Sequence, residues 1–129
     1  VIIKAAAVAD YRPATCKSHK VKKHEIEHEL RMEQNPDILL ELGQQRQEGQ
    51  LLVGFAAESR NLEAEGKRKL QKKNLDLIAV NDISAGNSGF ESDTNRILLL
   101  GRDSETWLPL TSKLHTADLI LDKVVELLR

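Results

Sequence analysis

Short apolar runs alternate along this chain with mainly polar segments in which the apolar residues recur at helical spacing. Three of the runs are aliphatic and lack period-two alternation, which is typical of strands covered on both faces of a sheet. These runs are Val1–Ile3, Leu51–Phe55 and Leu75–Val80. Each leads into a polar loop and then a further element, so we predict βαβ units and a parallel sheet.

Three helices are predicted from capping residues and spacing. Residues 35–37, Asn-Pro-Asp, have the composition of a helix start, with Asn35 as the cap and the proline at the first helical position. The second helix is predicted at about 59–73 and the third at 113–128, where leucine and valine recur at roughly helical spacing.

The remaining pattern predicts antiparallel additions to the sheet. Residues Glu25–Met32 alternate as in a strand with one exposed face, and residues 84–95 are rich in the residues of loops. The runs Arg96–Leu100 and Thr106–Leu110 are predicted to form two strands joined as a hairpin. We therefore predict a single α/β domain over residues 1–129, with a Rossmann-like, mostly parallel sheet flanked by helices and a C-terminal antiparallel hairpin.

Composition narrows the class of protein. A chain of 129 residues with a net charge of −1 has no global field that would recruit nucleic acid or an acidic membrane. Its single cysteine, Cys16, excludes an intrachain disulfide and a zinc site of several cysteines. No apolar run reaches the roughly 20 residues that span a bilayer. We expect a cytoplasmic protein without nucleic-acid or membrane partners.

Polar side chains follow the predicted strands. Asp10 follows the first strand, Glu58 the second, and Asn81 with Asp82 the third. Because ligands of open α/β sheets bind at the carboxyl ends of the strands, these groups form a candidate site. The small residues 5–7 either let a ligand approach the backbone or let a helix pack tightly, and both interpretations stay open.

Two lysine clusters could neutralise phosphate. The cluster at 67–73 lies at the end of a predicted helix, where cations interact favourably with the helix dipole and stabilise the helix. A solvated helix face therefore also explains this cluster. The cluster at 17–23 lies in a loop and suits a polyphosphate. Neither G-x-G-x-x-G nor G-x-x-x-x-G-K-[ST] occurs, which disfavours a nicotinamide oxidoreductase and a P-loop enzyme.

Seven sequence pieces together resemble one family. They are A-A-A-V-A-D-Y-R-P (5–13), K-V-K-K (20–23), N-P-D-I-L (35–39), G-F-A-A-E (54–58), K-L-Q-K-K-N-L-D-L-I (69–78), A-V-N-D (79–82) and G-F-E-S-D-T-N (89–95). In this order they resemble bacterial phosphopantothenoylcysteine synthetase, usually the C-terminal half of a bifunctional coenzyme A biosynthesis protein. The resemblance spans nearly the whole chain.

The resemblance implies a ligase that joins 4′-phosphopantothenate to L-cysteine, using CTP as co-substrate and Mg²⁺ or Mn²⁺. An acyl-cytidylate forms first with release of pyrophosphate, and the cysteine amine then displaces CMP. FMN would belong only to a fused decarboxylase partner domain, and a homodimer is implied for the full-length protein. Bacterial members imply CTP, whereas some eukaryotic relatives favour ATP.

The resemblance also implies roles for residues. Lys20 would be catalytic, contacting nucleotide phosphate from a flap, while Phe55 would pack on the base or ribose. Lys69 and Lys73 would pair with the triphosphate; Asp82, Asp93 and Asn95 would support a metal or loop order, with metal ligands left unassigned. The full set of expected nucleotide contacts is Ala5, Ala6, Ala7, Asp10, Lys20, Asn35, Pro36, Asp37, Ile38, Leu39, Phe55, Lys69 and Lys73.

One departure from the family pattern bears on activity. The resemblance implies a glycine-rich phosphate segment and a catalytic asparagine ahead of Val1, so we expect this chain to lack the N-terminal part of the domain. The alternative is a non-catalytic nucleotide-binding domain or fragment of the same fold.

Overall fold

A five-stranded mixed sheet lies at the centre of the larger of two compact units, Val1–Ala5 with Leu39–Arg129; the smaller unit is Ala6–Ile38. This computed structural model describes residues 1–22, 29–84 and 94–129. Along these residues the elements are β1 (Ile2–Lys4), β2 (Tyr11–Pro13), β3 (Met32–Gln34), α1 (Ile38–Gln44), β4 (Leu52–Glu58), α2 (Leu62–Lys72), β5 (Leu77–Asp82), β6 (Thr94–Asn95), β7 (Ile97–Gly101), β8 (Glu105–Trp107), β9 (Thr111–Ser112) and α3 (Lys113–Leu127).

The sheet has the strand order β1-β4-β5-β7-β8. β1, β4 and β5 are parallel neighbours, whereas β7 pairs antiparallel with both β5 and β8. The predicted α/β class is therefore confirmed: parallel core strands, flanking helices and an antiparallel C-terminal hairpin. No helix within the described ranges is long and apolar enough to cross a membrane.

Alternate residues of the central strands fill two apolar layers, one on each face of the sheet. One layer packs under α1 and α2 and includes Leu39, Leu70 and Ile78. The other packs under α3 and includes Val53 and Ile120. Because both faces of β5 and of the first half of β4 are covered, their sequences are continuous apolar runs, as predicted, and β7 is covered in the same way.

The first strand differs from its prediction. Val1–Ile3 was expected to be covered on both faces, but β1 lies at an edge of the sheet and the Ile3 residue is 40% exposed. The expectation was wrong because a run of three aliphatic residues does not distinguish an edge strand from an interior one.

The helix start at residues 35–37 also differs. α1 begins at Ile38, and the Asn35 side chain donates from Nδ2 to the Ala9 carbonyl at 2.7 Å instead of capping a helix. The backbone N–H of Asn35 donates to the Asp10 carbonyl at 2.8 Å, which extends the β2–β3 ladder by one residue. The predicted cap at Asn35 is therefore wrong, because strand pairing determines its conformation.

Two predicted segments reach into positions outside the described residues. Of the strand predicted at Glu25–Met32, residues 25–28 are not described, 29–31 form no strand, and β3 begins at Met32. Of the loop predicted at 84–95, residues 85–93, which include Asp93, are not described. Its last two residues form β6, which pairs antiparallel with β9.

An ion-pair network joins the amino ends of β4 and β5. The Arg46 guanidinium pairs with the Asp76 carboxylate at 2.9 Å and donates to the Asn74 carbonyl at 3.0 Å. Asp76 also accepts from the Leu52 backbone N–H at 2.8 Å. Arg102 pairs with the same carboxylate at 3.2 Å, but from a more exposed position. Arg46 therefore connects the loop before β4 to the start of β5.

Arg46→Met is expected to destabilise the chain by about 2–3 kcal/mol. This loss is smaller than the loss from breaking a fully buried ion pair, because water screens part of the Arg46–Asp76 attraction. Arg102→Met removes the same charge from the same carboxylate, yet is expected to cost under about 1 kcal/mol, since the Arg102 side chain is 58% exposed against 19% for Arg46. Urea denaturation of both variants measures the difference. Equal losses would contradict the assigned role of Arg46.

Candidate functional site

The carboxyl ends of β4 and β5 lie side by side and carry the polar residues that the sequence placed there. Glu58 is opposite Asp82 in the parallel register, and the Ile83 N–H donates to the Glu58 carbonyl at 3.0 Å. Phe55 is also on β4, and its residue surface is 38% exposed although the strand before it is buried. Side chains alternate along β4, so this end of the sheet carries the two carboxylates on one face and the Phe55 ring on the other.

Lys69 of α2 reaches back to this edge. Helix side chains lean towards the helix N-terminus, and only three residues separate the end of β4 from the start of α2, so a lysine two turns along can return to the strand end. The Lys69 ammonium donates a short hydrogen bond to the Glu58 carboxylate. A cation is thus held at the carboxyl edge of the sheet.

The neighbouring cations of α2 have other partners. Lys67 pairs with Glu63 at 2.5 Å, and Arg68 pairs with Glu65 at 2.6 Å. The hydrogen bond from Lys67 lowers the pKa of Glu63, and the hydrogen bond from Arg68 lowers the pKa of Glu65. These exposed i, i+4 and i, i+3 pairs are what a solvated helix face requires. The interpretation as a solvated face therefore suits Arg68, whereas Lys67 also pairs with Glu105 of β8 at 3.1 Å and Lys69 with Glu58 of β4.

The Asp82 carboxylate is buried at the end of β5. Its Oδ1 accepts from the Ser84 hydroxyl at 2.6 Å and from the Ser84 N–H at 2.9 Å, and Arg96 lies 3.8 Å from Oδ2. The Ser84 side-chain hydrogen bond, followed by the Ser84 backbone hydrogen bond, lowers the pKa of Asp82. The carboxylate therefore remains charged and holds the start of the following loop.

Asp82→Asn is expected to destabilise the chain by about 1–2 kcal/mol at neutral pH, because charge-assisted hydrogen bonds become neutral ones. Since the folded pKa lies below the unfolded value, the contribution is fully present above about pH 4 and is lost as pH falls through the folded pKa. Urea denaturation of both proteins at several pH values measures this. A stability difference that stays constant with pH would contradict it.

The two described carboxylates at this edge already have protein partners. Mg²⁺ prefers oxygen ligands from one or two carboxylates together with phosphates and water. Glu58 is engaged by Lys69 and Asp82 by Ser84. Within the described ranges, no three His, Cys, Asp or Glu residues come close enough together to hold a metal ion.

Asn81 and Asn95 each have a buried side-chain amide oxygen, and the sequence did not indicate that these oxygens would be unpaired. The Oδ1 atoms of Asn81 and Asn95 accept no hydrogen bond from any described residue. Both atoms are closed to solvent, so neither is presented to a ligand in this arrangement.

The other predicted contact residues have different environments. Within the smaller unit, Asp10 and Asn35 are joined through their backbones, and the Arg12 guanidinium lies 3.4 Å from the Asn35 Oδ1. Lys20 is exposed, and Lys23 lies outside the described residues. In the larger unit Leu39 is buried in the core. The exposed predicted residues are Ala5, Ala6, Ala7, Asp10, Lys20, Pro36, Ile38 and Phe55, and the half-buried ones are Asn35, Asp37, Lys69 and Lys73.

Solved structures share this fold. The chain matches a crystal structure of the C-terminal domain of coenzyme A biosynthesis bifunctional protein CoaBC with a TM-score of 0.74 and 34% identity, covering 98% of this chain and 53% of that one. It matches the DNA/pantothenate metabolism flavoprotein from Streptococcus pneumoniae with a TM-score of 0.69, covering 93% of this chain and 60% of that one. At 19% identity, the second match shows the fold alone.

Sequence comparison identifies the family. The chain is 43% identical over 128 residues to the coenzyme A biosynthesis bifunctional protein CoaBC of Bacillus subtilis (strain 168), covering 98% of this chain and 31% of that protein. It is 40% identical over 128 residues to CoaBC of Escherichia coli (strain K12), covering 97% of this chain and 32% of that protein. The chain thus spans about a third of the length of these curated relatives. Residues 1–128 match the model of one family throughout. This chain belongs to the DNA/pantothenate metabolism flavoprotein C-terminal domain family.

Proposed function

We propose that this chain supplies nucleotide-binding residues to a CTP-dependent ligase of coenzyme A biosynthesis. In that reaction the carboxylate of 4′-phosphopantothenate attacks the α-phosphorus of CTP, and pyrophosphate leaves. The amine of L-cysteine then attacks the acyl carbon, an amide bond forms, and CMP leaves. The family and its relatives, which carry coenzyme A biosynthesis in their names, support this reaction class.

The observation that carries the proposal is Lys69 held at the carboxyl edge of the sheet. Open α/β folds bind their ligands outside this edge. Lys67 and Arg68 pair with other carboxylates, whereas Lys69 is turned to the Glu58 carboxylate at the strand end. An ammonium at this edge suits a nucleotide phosphate, and the exposed Phe55, which alternation puts on the opposite face of β4 from Glu58, suits a base or ribose.

Nucleotidyl transfer needs positioning and charge neutralisation more than a covalent nucleophile on the protein. In this proposal Lys69 and Lys73 neutralise the triphosphate, and Phe55 packs on the base or ribose. Lys20 neutralises the charge that develops on phosphate as the acyl-cytidylate forms.

Calorimetric titration of this chain with CTP and, separately, ATP in the presence of Mg²⁺ tests the proposal. We expect heat from CTP binding and weaker binding of ATP. Lys69→Met is expected to weaken CTP binding, whereas Lys67→Met, which removes the same charge from an exposed pair of the same helix, is expected to leave it nearly unchanged. Equal effects of the two variants, or no CTP binding by the wild-type chain, would contradict the proposed role of this site.

A further inference from the structure

We propose that Glu58 is a positioning residue of this site, whose carboxylate holds the Lys69 ammonium where a nucleotide phosphate can accept from it. This inference rests on the proposed function and adds to it a residue outside the expected contact set. Its distinctive consequence is that removing a negative charge weakens the binding of an anionic ligand.

The position of Glu58 is fixed through its backbone. Glu58 is the last residue of β4, opposite Asp82 in β5, and its carbonyl accepts from the Ile83 N–H at 3.0 Å. The strand on which it lies is buried over its first residues, Leu52–Gly54. Because these contacts fix the main chain, the Glu58 carboxylate starts from a rigid part of the sheet and not from a loop.

The relative burial of the pair shows which partner is available to a ligand. The Glu58 side chain is 17% exposed and the Lys69 side chain 29% exposed, so the ammonium is the more accessible member. An ammonium has three hydrogen-bond donors, and the bond to Glu58 uses one of them. The arrangement leaves Lys69 able to donate to phosphate while Glu58 keeps its own hydrogen bond.

Two opposing effects of Glu58 on an incoming phosphate have to be compared. Its negative charge repels phosphate, but that charge is already balanced by the ammonium that it contacts. An unrestrained lysine side chain must lose much of its rotamer freedom on binding, and the hydrogen bond to Glu58 removes most of that loss beforehand. We therefore expect the ordering effect to exceed the repulsion.

The experiment combines CTP titration of this chain with a double-mutant cycle. Glu58→Gln is expected to weaken CTP binding roughly tenfold, the scale of one charge-assisted hydrogen bond. Glu58→Asp, which keeps the charge, should recover part of the loss. In a Lys69→Met background, Glu58→Gln should cause no further weakening. Glu63→Gln, which removes an exposed carboxylate that pairs with Lys67, is the matched control and should bind CTP as the wild type does.

A nucleotide-free readout separates positioning from a general structural role. In ¹⁵N-lysine NMR spectra, we expect a slowly exchanging Nζ–H signal from Lys69 in the wild type and its loss in Glu58→Gln. Absence of that signal from the wild type would overturn the inference. So would unchanged or tighter CTP binding by Glu58→Gln, or an equal loss in the Lys69→Met background.

Failure of the proposed function gives a different pattern. If the wild-type chain binds no CTP, or if Lys69→Met binds it as the wild type does, the nucleotide site itself is wrong and this inference is overturned with it. If Lys69→Met weakens CTP binding and Glu58→Gln does not, the proposed function stands and only the role of Glu58 is rejected.

Discussion

Gly43→Ala is expected to destabilise the chain by about 3 kcal/mol or more, because a Cβ at this position would overlap the backbone of another helix. Gly43 is buried in α1, and an added Cβ would lie 1.9 Å from the Lys73 carbonyl oxygen and 2.8 Å from its carbon. The same approach allows Asn74 Nδ2 to donate to the Gly43 carbonyl at 3.1 Å. Backbone atoms cannot move aside as a side-chain tip can, so α1 and the end of α2 must separate.

Two physical effects predict opposite signs for this substitution. Helix propensity alone favours alanine over glycine by about 1 kcal/mol, so an isolated helix would be stabilised. The overlap with Lys73 is expected to outweigh this gain. Urea denaturation measures the sign, and greater stability of Gly43→Ala would show that the two helices do not approach as described.

Gly49→Ala is the control, because glycine is favoured at position 49 by the backbone conformation and at position 43 by close packing. Its φ is +80°, a left-handed conformation, but an added Cβ would meet no atom within 4 Å. The expected cost is only the backbone strain of about 1 kcal/mol. The ratio of the two losses therefore separates close packing from conformational strain.

Lys20→Met is expected to slow formation of the acyl-cytidylate by roughly 10²–10³-fold, the effect of removing one group that stabilises transition-state charge. Lys20 is exposed, so the melting temperature is expected to change little. The measurement, made on the full-length protein because the resemblance implies a catalytic asparagine ahead of Val1, is pyrophosphate release from CTP with 4′-phosphopantothenate present and L-cysteine left out.

Lys22→Met provides the comparison for Lys20, since it removes an identical charge from the same exposed stretch. We expect it to slow the reaction far less. Equal slowing by both variants would indicate a general electrostatic effect of the loop. A large fall in melting temperature for Lys20→Met would instead assign a structural role to Lys20.

Most of the larger unit could be predicted from the sequence because its central strands are covered on both faces. The apolar runs of β4, β5 and β7 therefore stand out against the polar segments between them. The two-residue strands β6 and β9 could not be predicted, since two residues carry no periodic pattern. The start of α2 was predicted three residues early because Asn61, at φ 50°, adopts a left-handed conformation before the helix.

The candidate site was only partly predictable. The predicted parallel topology puts the carboxyl ends of β4 and β5 side by side, and therefore puts Glu58 and Asp82 at one edge of the sheet. The charge pattern could not separate Lys69 from its cationic neighbours, because the helix dipole explains all of them equally, and only the family resemblance singled out Lys69 and Lys73. Its partner lies eleven residues earlier in a different element, and no sequence spacing rule predicts that pair.

β7, the most buried of the described strands, favours aggregation before the chain folds, and the charged residues that flank it reduce this tendency. All five residues of β7 are buried, and its run Ile97–Leu100 is entirely aliphatic. Until β5 and β8 pair with it, such a segment favours intermolecular cross-β association. Arg96 and Arg102 bound this run; in the folded chain one lies 4.8 Å from the Trp107 ring centroid and the other pairs with Asp76. Before folding, the same two charges act as gatekeepers that oppose self-association of the nascent strand.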